Sequence, residues 1–522
     1  MILEAFAVRP NRQHRDQALR WLWSLALVGA LVVEGERVWL AMVQPLWLDE
    51  TWTGAIAGTE SWRAFGREVY LEVNPPLYYL VMRLWTAAFG LSDMALKIPG
   101  LLALVAAAAA PVLARPKGLP RDATCCWALL LFFWWGCGLF LDARGYSLLL
   151  AVSTLQCLAF ARLLRAPSTA KAAGWCALAG AAILIHYYAL FVGLAQGLVY
   201  LTVWRWRAVK TAPAILALAP TAAWMAYHAP RLAQYGRGDV AWHPPLSAAS
   251  FVSFAAFPLG AYSLTLALTA AGFLAGAALI SMLGERRAPS VAAAAPADAA
   301  LADADQAQAR RALWLTAAAG LAALALVLVS AALRPSLTAR YLIPITPSIL
   351  LGAVLCAGRL RRAAFVRAAL VVIFFAFALD PAGLAAKLAD PTAYGAETGS
   401  AFIMRHGADE VVFICDHPVA KIMDPGSLRR MAGFFFQRVG YSAKIDLLVV
   451  TSKDDANRLA VQAASRPRTA ILWLYNRTDN TSARTHPPAV SQIDPRWTCQ
   501  TVGDGQVGTM ACVQAGTGVR AG

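Results

Sequence analysis

From about position 20 to position 380, long apolar runs alternate with short polar clusters, and the run lengths suit helices that cross a bilayer. The pattern predicts a first span beginning near Trp21, then spans at 95 to 114, 123 to 140, 147 to 164, 173 to 187, 188 to 204, 211 to 228, 260 to 283, 312 to 332, 341 to 358 and 364 to 380, about eleven in all. Two of them meet at His186-Tyr187-Tyr188 and are shorter than a full crossing, which predicts a hairpin whose tip lies below the surface and lines a cavity. Residues 76 to 90 hold only about 14 apolar positions where roughly 20 are needed. That stretch reads as an amphipathic helix in the membrane interface, started by Pro75-Pro76, with Asn74 as its cap and Arg83 reaching for headgroups.

Beyond about position 381 the apolar runs shorten to Val411 to Cys415, Leu447 to Val450 and Ala470 to Tyr475, separated by helical-looking stretches, as in a soluble α/β unit. The predicted fold class is a polytopic α-helical membrane protein with a small C-terminal α/β domain. Its parts are a transmembrane module over 1–380 and an exterior domain over 381–522. The module carries a first exterior loop over 44–94 and a low-complexity cytoplasmic linker over 284–312.

Composition fixes the class and charge fixes the orientation. With 59% hydrophobic and 15% charged residues, a chain of 522 residues does not pack into one soluble core. The net charge of +16 comes from clusters between apolar runs, such as Arg115/Lys117/Arg121, Arg162/Arg165/Lys171 and Arg359/Arg361/Arg362. That distribution follows the positive-inside rule and argues against a nucleic-acid partner. It predicts an N-terminus inside, and the loops around 44–94, 142–146, 186–188 and 334–341 outside. No Cys-x-x-Cys pair or Cys/His spacing suggests structural zinc. Cys499 and Cys512 sit in a polar tail on two short strand-like runs joined by Gly503-Asp504-Gly505, where a bridge across a hairpin would form in an oxidising compartment.

The exterior loops carry the candidate chemistry. Leu46-Trp47-Leu48-Asp49-Glu50 sets two carboxylates at a membrane edge. Asp142-Ala143-Arg144-Gly145-Tyr146, His186-Tyr187-Tyr188 and Arg340-Tyr341 are expected at the same face. Arginines flanked by tyrosine hydroxyls suit a phosphate, and a carboxylate opposite them suits proton removal from a hydroxyl or amine. A lipid-linked phosphate ester fits such a site, with its tail in the bilayer and its head group toward the carboxylates.

These residues also carry a resemblance. Leu-Trp-Leu-Asp49-Glu50, Asn74-Pro75-Pro76-Leu77-Tyr78-Tyr79, Ala143-Arg144-Gly145-Tyr146, His186-Tyr187-Tyr188 and Arg340-Tyr341-Leu-Ile-Pro, in that order over roughly 20 to 380, resemble the membrane glycosyltransferases of the GT-C fold. The protein O-mannosyltransferase and aminoarabinose-transferase group, glycosyltransferase family 39, is the most similar. The resemblance implies inverting transfer of a sugar from a polyprenyl-phosphate donor at the outer face of a bacterial inner membrane. It implies Asp49 as base with Glu50 beside it at the acceptor, and a donor phosphate held by Arg144, Tyr146, Arg340 and Tyr341. Asn74, Tyr78, Asp142, His186 and Tyr187 would line the substrate cavity. Asn74 departs from the histidine that many relatives have before Pro-Pro, and many carry Glu or Gln near the position of Asp142. No cofactor is implied, and two adjacent carboxylates are too few to cage a divalent metal.

Each feature alone has an ordinary explanation. Asp49 and Glu50 would serve as solvated loop acids, Arg144 and Arg340 as headgroup contacts, and the tyrosines near His186 as an interfacial aromatic belt. A flippase for lipid-linked sugars would also have many spans and cationic groups, but transporters tend to show repeated halves with polar groups at mid-membrane. Here the polar groups favour one face and no repeat is visible.

Overall fold

The computed structural model describes residues 48–134, 142–235, 246–260, 297–360, 363–378, 396–415, 423–449, 466, 468–476, 495–502 and 507–514, with parts of 17–46. Five stretches among them are long and apolar enough to cross a membrane: Asp93–Ala114, Tyr146–Arg165, Ala189–Tyr235, Asp303–Leu333 and Ala339–Ala357. Thr169–Ile185 is a shorter apolar helix. The expected first span is described only in part, and 261–283 lies outside the described residues.

Three short helices follow the first apolar segment. Helix α1 (Leu48–Ala57) carries Asp49 and Glu50 in its first turn, where carboxylates complement the exposed N–H groups. Helix α2 (Trp62–Leu71) is capped by Ser61, whose Oγ accepts from Ala64 N–H at 3.1 Å. Helix α3 (Pro76–Phe89) starts on Pro76 and ends at Gly90, whose φ of 80° suits glycine. It buries Tyr78, Tyr79 and Met82 and exposes Leu84 and Phe89, the two-sided character expected of it. Two details differ from expectation. Pro75 is the N-cap, and the Asn74 amide turns back to Glu72 Oε1 at 3.2 Å. Arg83 donates to the carbonyls of Ala57 and Thr59 and lies over the rings of Trp62 and Phe65, so it closes the C-terminus of α1 instead of reaching out.

The bundle then runs through α4 (Asp93–Ala114), α5 (Arg121–Phe133), α6 (Tyr146–Arg165), α7 (Thr169–Ile185) and α8 (Ala189–Trp204). At Arg205, φ is 46°, and the chain turns back through a 3₁₀ stretch (Arg205–Leu218) containing Pro213 into α9 (Ala219–Tyr235). Tyr200 meets Thr211 at 2.9 Å near this turn, and Tyr187 meets His228 at 2.6 Å at the far end, so the two strokes run antiparallel. After α10 (Ala248–Ala256) come α11 (Ala297–Leu333), a 3₁₀ turn (Ala339–Ile345), α12 (Thr346–Ala357) and α13 (Ala363–Ala378).

The N-terminal half of α11 corrects the linker expectation. Residues 297–312 are helical, and Asp305 pairs with Lys117 at 3.5 Å and Arg165 at 3.8 Å while Gln308 donates to Arg165 O at 2.7 Å. Alanine-rich sequence has high helix propensity, and the basic loops give the helix partners. Residues 284–296 lie outside the described residues. The bundle therefore has one basic end, where Arg367 also pairs with Asp122 at 2.6 Å, and an opposite end that gathers Asp49, Arg144, His186 and Arg340.

The C-terminal domain has α14 (Ala396–Arg405), β1 (Glu410–Cys415), α15 (Pro425–Arg438), β2 (Lys444–Val449), β3 (Thr469–Asn476), β4 (Trp497–Val502) and β5 (Val507–Gln514). The sheet order is β2-β1-β3-β5-β4, parallel across β2, β1 and β3 and antiparallel beyond. The continuous apolar run of β1 suits a central strand covered on both faces, and Val411 to Cys415 are all buried. Cys499 and Cys512 face each other in the β4–β5 register and form a disulfide. Helix α15 seats this domain on α1 and α2 through Arg430–Glu68 at 2.5 Å and Asp424–Arg67 at 3.0 Å. Arg438 pairs with Asp93 and with Glu397, and Phe434 packs against Gly54.

Candidate active site

Helix α1 supplies the first two candidates and sends them in different directions. Glu50 is 1% exposed, and its Oε1 accepts the Ala143 N–H at 2.7 Å. It thereby ties α1 to the loop that precedes α6, which makes it a group that holds the site together. The Asp49 side chain is a quarter exposed, with Oδ2 at 3.8 Å from Arg144 Nη2 and 3.8 Å from Arg340 Nη1. Arg144 also donates to Asp49 O at 3.2 Å and reaches Tyr79 Oη at 3.5 Å.

Both guanidiniums are largely enclosed, with side chains 11% and 23% exposed for Arg144 and Arg340. Arg340 lies over the Tyr146 ring at 5.9 Å, and its Nε is buried with no hydrogen-bond partner among the described residues. A buried N–H without an acceptor costs free energy unless a ligand supplies one. The side chains of Arg144 and Arg340 thus offer two cations, converging on one carboxylate, with donor capacity to spare.

Asn74, Tyr78, Tyr79, Arg144, Gly145, Tyr146 and His186 line a small cavity. Four expected cavity or donor residues (Asn74, Tyr78, Tyr146 and His186) are therefore together with Arg144. Tyr341 closes one side with its ring, 4.6 Å from His186 and 4.9 Å from Tyr188. Asp142 sits next to the cavity, its carbonyl accepting the Arg144 N–H at 2.6 Å. Tyr187 is the exception. Its hydroxyl points away to His228 Nδ1 at 2.6 Å and accepts from Trp224 Nε1 at 2.9 Å. The tight turn at 186–188 forces alternate side chains to opposite sides, so His186 and Tyr187 do not share a cavity.

Of three further site residues, Tyr79 and Tyr188 stand in the sequence motifs without a role of their own, and Glu72 lies outside them. The Tyr79 hydroxyl faces Arg144. Tyr188 donates to Ser336 O at 2.6 Å and fixes the hairpin tip to the segment leading into Arg340. Glu72, which follows α2, accepts from Val73 N–H at 2.9 Å and from Asn74 on the same oxygen. Burial pushes its carboxyl above the usual range, against the opposing influence of Arg144. Its position two residues before Asn74-Pro75-Pro76 was the available signal. His228 and Arg231 of α9 hold the carbonyls of Tyr70 and Leu71 at 2.9 and 3.1 Å, and so fix the end of α2 from which Glu72 projects. Among the described residues no group of His, Cys, Asp and Glu is arranged to hold a metal ion.

Comparison with known proteins adds one relationship. No protein-family profile matches the chain, and no curated protein matches it. Among solved structures, ArnT from Cupriavidus metallidurans in its apo state superposes with a TM-score of 0.55 at 13% identity, over 96% of this chain and 99% of that one. The same protein bound to undecaprenyl phosphate gives 0.52 at 13% identity, over 95% and 98%. At that identity the likeness shows the fold, and with the apolar helices it makes this chain a multi-pass membrane protein of the GT-C architecture with a small C-terminal sheet domain.

Proposed function

We propose that the protein is an inverting glycosyltransferase of the glycosyltransferase family 39 type. It moves a sugar from a polyprenyl-phosphate donor to an acceptor hydroxyl or amine at the outer face of a bacterial inner membrane. The observation that carries this reading is the convergence of Asp49, Arg144 and Arg340, from three separate segments, at 3.8 Å contacts beside a cavity. The ArnT fold, solved in that protein with undecaprenyl phosphate, supports the donor class. The Cys499–Cys512 disulfide supports an oxidising, exterior location for the C-terminal domain, and the basic opposite end supports the same orientation.

In this reading Arg144 and Arg340 take the donor phosphate between them, and the buried Arg340 Nε gains its acceptor. The acceptor proton passes to the Asp49 carboxylate while the acceptor's electron pair forms the bond to the anomeric carbon. The bond from that carbon to the phosphate oxygen breaks on the other face, and polyprenyl phosphate leaves with its charge held by the two arginines. Glu50 and Tyr146 support this arrangement from behind, Glu50 through the Ala143 loop and Tyr146 beneath Arg340. No divalent cation is required.

The test compares envelope glycolipids and glycoproteins by mass spectrometry in cells with the intact gene, without it, and with Asp49→Asn. A sugar present with the wild type and lost in both other strains supports the reading. Full product from Asp49→Asn, or loss of product on chelation with rescue by Mg²⁺ or Mn²⁺, overturns the assignment. A flippase would translocate a lipid-linked sugar without forming a new glycosidic product.

A further inference from the structure

The turn that ends α7 gives the His186 ring a fixed orientation. The chain leaves the helix in extended backbone, with φ −156° and ψ 125° at His186, and the Tyr188 N–H donates back to His186 Nδ1 at 3.3 Å. A ring nitrogen that accepts a hydrogen bond carries no proton, so the imidazole is neutral and its proton sits on Nε2. Packing holds the ring in place: its centre lies 4.6 Å from that of Tyr341 and 5.9 Å from that of Tyr188, whose hydroxyl is itself tied to Ser336 O at 2.6 Å. His186 is 8% exposed, and its Nε2 makes no hydrogen bond among the described residues. Enclosed N–H groups are normally paired, so this donor calls for an acceptor.

His186 shares its cavity with Arg144, Tyr78 and Tyr146, and that cavity has room for about one water-sized group. A single phosphate oxygen is of that size. Arg340, over the Tyr146 ring, stands beside it. Resting on the glycosyltransferase reading, we propose that His186 is a further catalytic residue of the transfer, donating its Nε2–H to one oxygen of the donor phosphate seated in this cavity. The phosphate gains negative charge as its bond to the anomeric carbon breaks, so a hydrogen bond to it strengthens toward the transition state. A neutral donor adds that stabilisation without a third positive charge to repel Arg144 and Arg340 or to draw Asp49 away from them. The proton stays on Nε2 throughout, and the acceptor's proton still goes to Asp49.

The experiment measures the affinity of the purified full chain in detergent for undecaprenyl phosphate and for undecaprenol, which lacks the phosphate, together with the unfolding midpoint. His186→Phe keeps a ring against Tyr341 and removes the donor. It is expected to weaken undecaprenyl phosphate binding about 10- to 100-fold, the loss of one hydrogen bond to a charged group, and to leave undecaprenol binding near wild type. His186→Gln, whose amide N–H can still donate, is expected to recover part of the loss. Wild-type affinity for undecaprenyl phosphate in His186→Phe, or an equal loss for undecaprenol, overturns the proposal. If His186→Phe does not keep the wild-type unfolding midpoint, His186→Gln against His186→Leu carries the test, and equal affinity of those two for undecaprenyl phosphate overturns it. Failure of the underlying reading is separate: Arg144→Ala and Arg340→Ala that bind undecaprenyl phosphate like wild type overturn the donor site itself.

Discussion

Glu50 and Ala143, 93 positions apart, are joined by a buried 2.7 Å hydrogen bond from the Ala143 N–H to the carboxylate. The residue after Ala143 is Arg144, so this bond fixes the distance between the Asp49 side chain and its first cation. Glu50→Ala leaves a buried N–H without its acceptor and is expected to cost about 1–3 kcal/mol. The check is the thermal unfolding midpoint in detergent, which should fall in Glu50→Ala and fall less in Glu50→Gln, whose amide oxygen can still accept.

Asp49 occupies the two guanidiniums that the donor phosphate would need. Asp49→Asn is therefore expected to bind undecaprenyl phosphate at least as tightly as wild type while losing product about 10²- to 10⁴-fold, the usual worth of a positioned base. Weaker lipid-phosphate binding in this variant would mean that Asp49 supports the donor site and does not compete for it.

Arg144 and Arg340 differ in their surroundings, and their variants should differ too. Among the described residues Arg340 has an unpaired buried Nε and one carboxylate contact, so Arg340→Lys removes planar two-point capture and should weaken undecaprenyl phosphate binding about tenfold or more. Arg144→Lys also loses the contacts to Asp49 O and Tyr79, and should lower the unfolding midpoint as well.

Glu72 carries a pH signature. Desolvation raises its folded carboxyl above the unfolded value near 4.5, with Arg144 opposing and Asp49 reinforcing the shift. The unfolded state therefore releases its proton first as pH rises. Above the folded value the ionised group costs stability, and below about pH 4.5 that cost is gone. Glu72→Gln should raise the unfolding midpoint at neutral pH, and its advantage over wild type should vanish as pH falls below the unfolded value.

Gly54 of α1 meets the C-terminal domain directly, since a Cβ there would come within 2.5 Å of Phe434 Cζ. Gly54→Ala should cost about 1–3 kcal/mol through overpacking and speed proteolytic release of the C-terminal domain. Phe434→Ala in the same chain should relieve the clash, giving a coupling that separate mutations lack.

The sequence alone carried the apolar runs, and with them the helices Asp93–Ala114 and Tyr146–Arg165 almost to the residue, because hydropathy and run length are properties of the local chain. It carried β1, β2 and β3 for the same reason, and it carried the motifs that bear Asp49, Arg144 and Arg340. It misread the start of α11 as linker, because low complexity hid a helix whose partners, Lys117 and Arg165, lie far along the chain. Only the tertiary structure decided that Glu50 points inward while Asp49 meets both arginines, and that Tyr187 leaves the cavity His186 enters. It alone set Glu72 against Asn74, with His228 and Arg231 holding the carbonyls just before it. Direction and enclosure of a side chain depend on which distant segments pack around it, and no pattern along one chain records that.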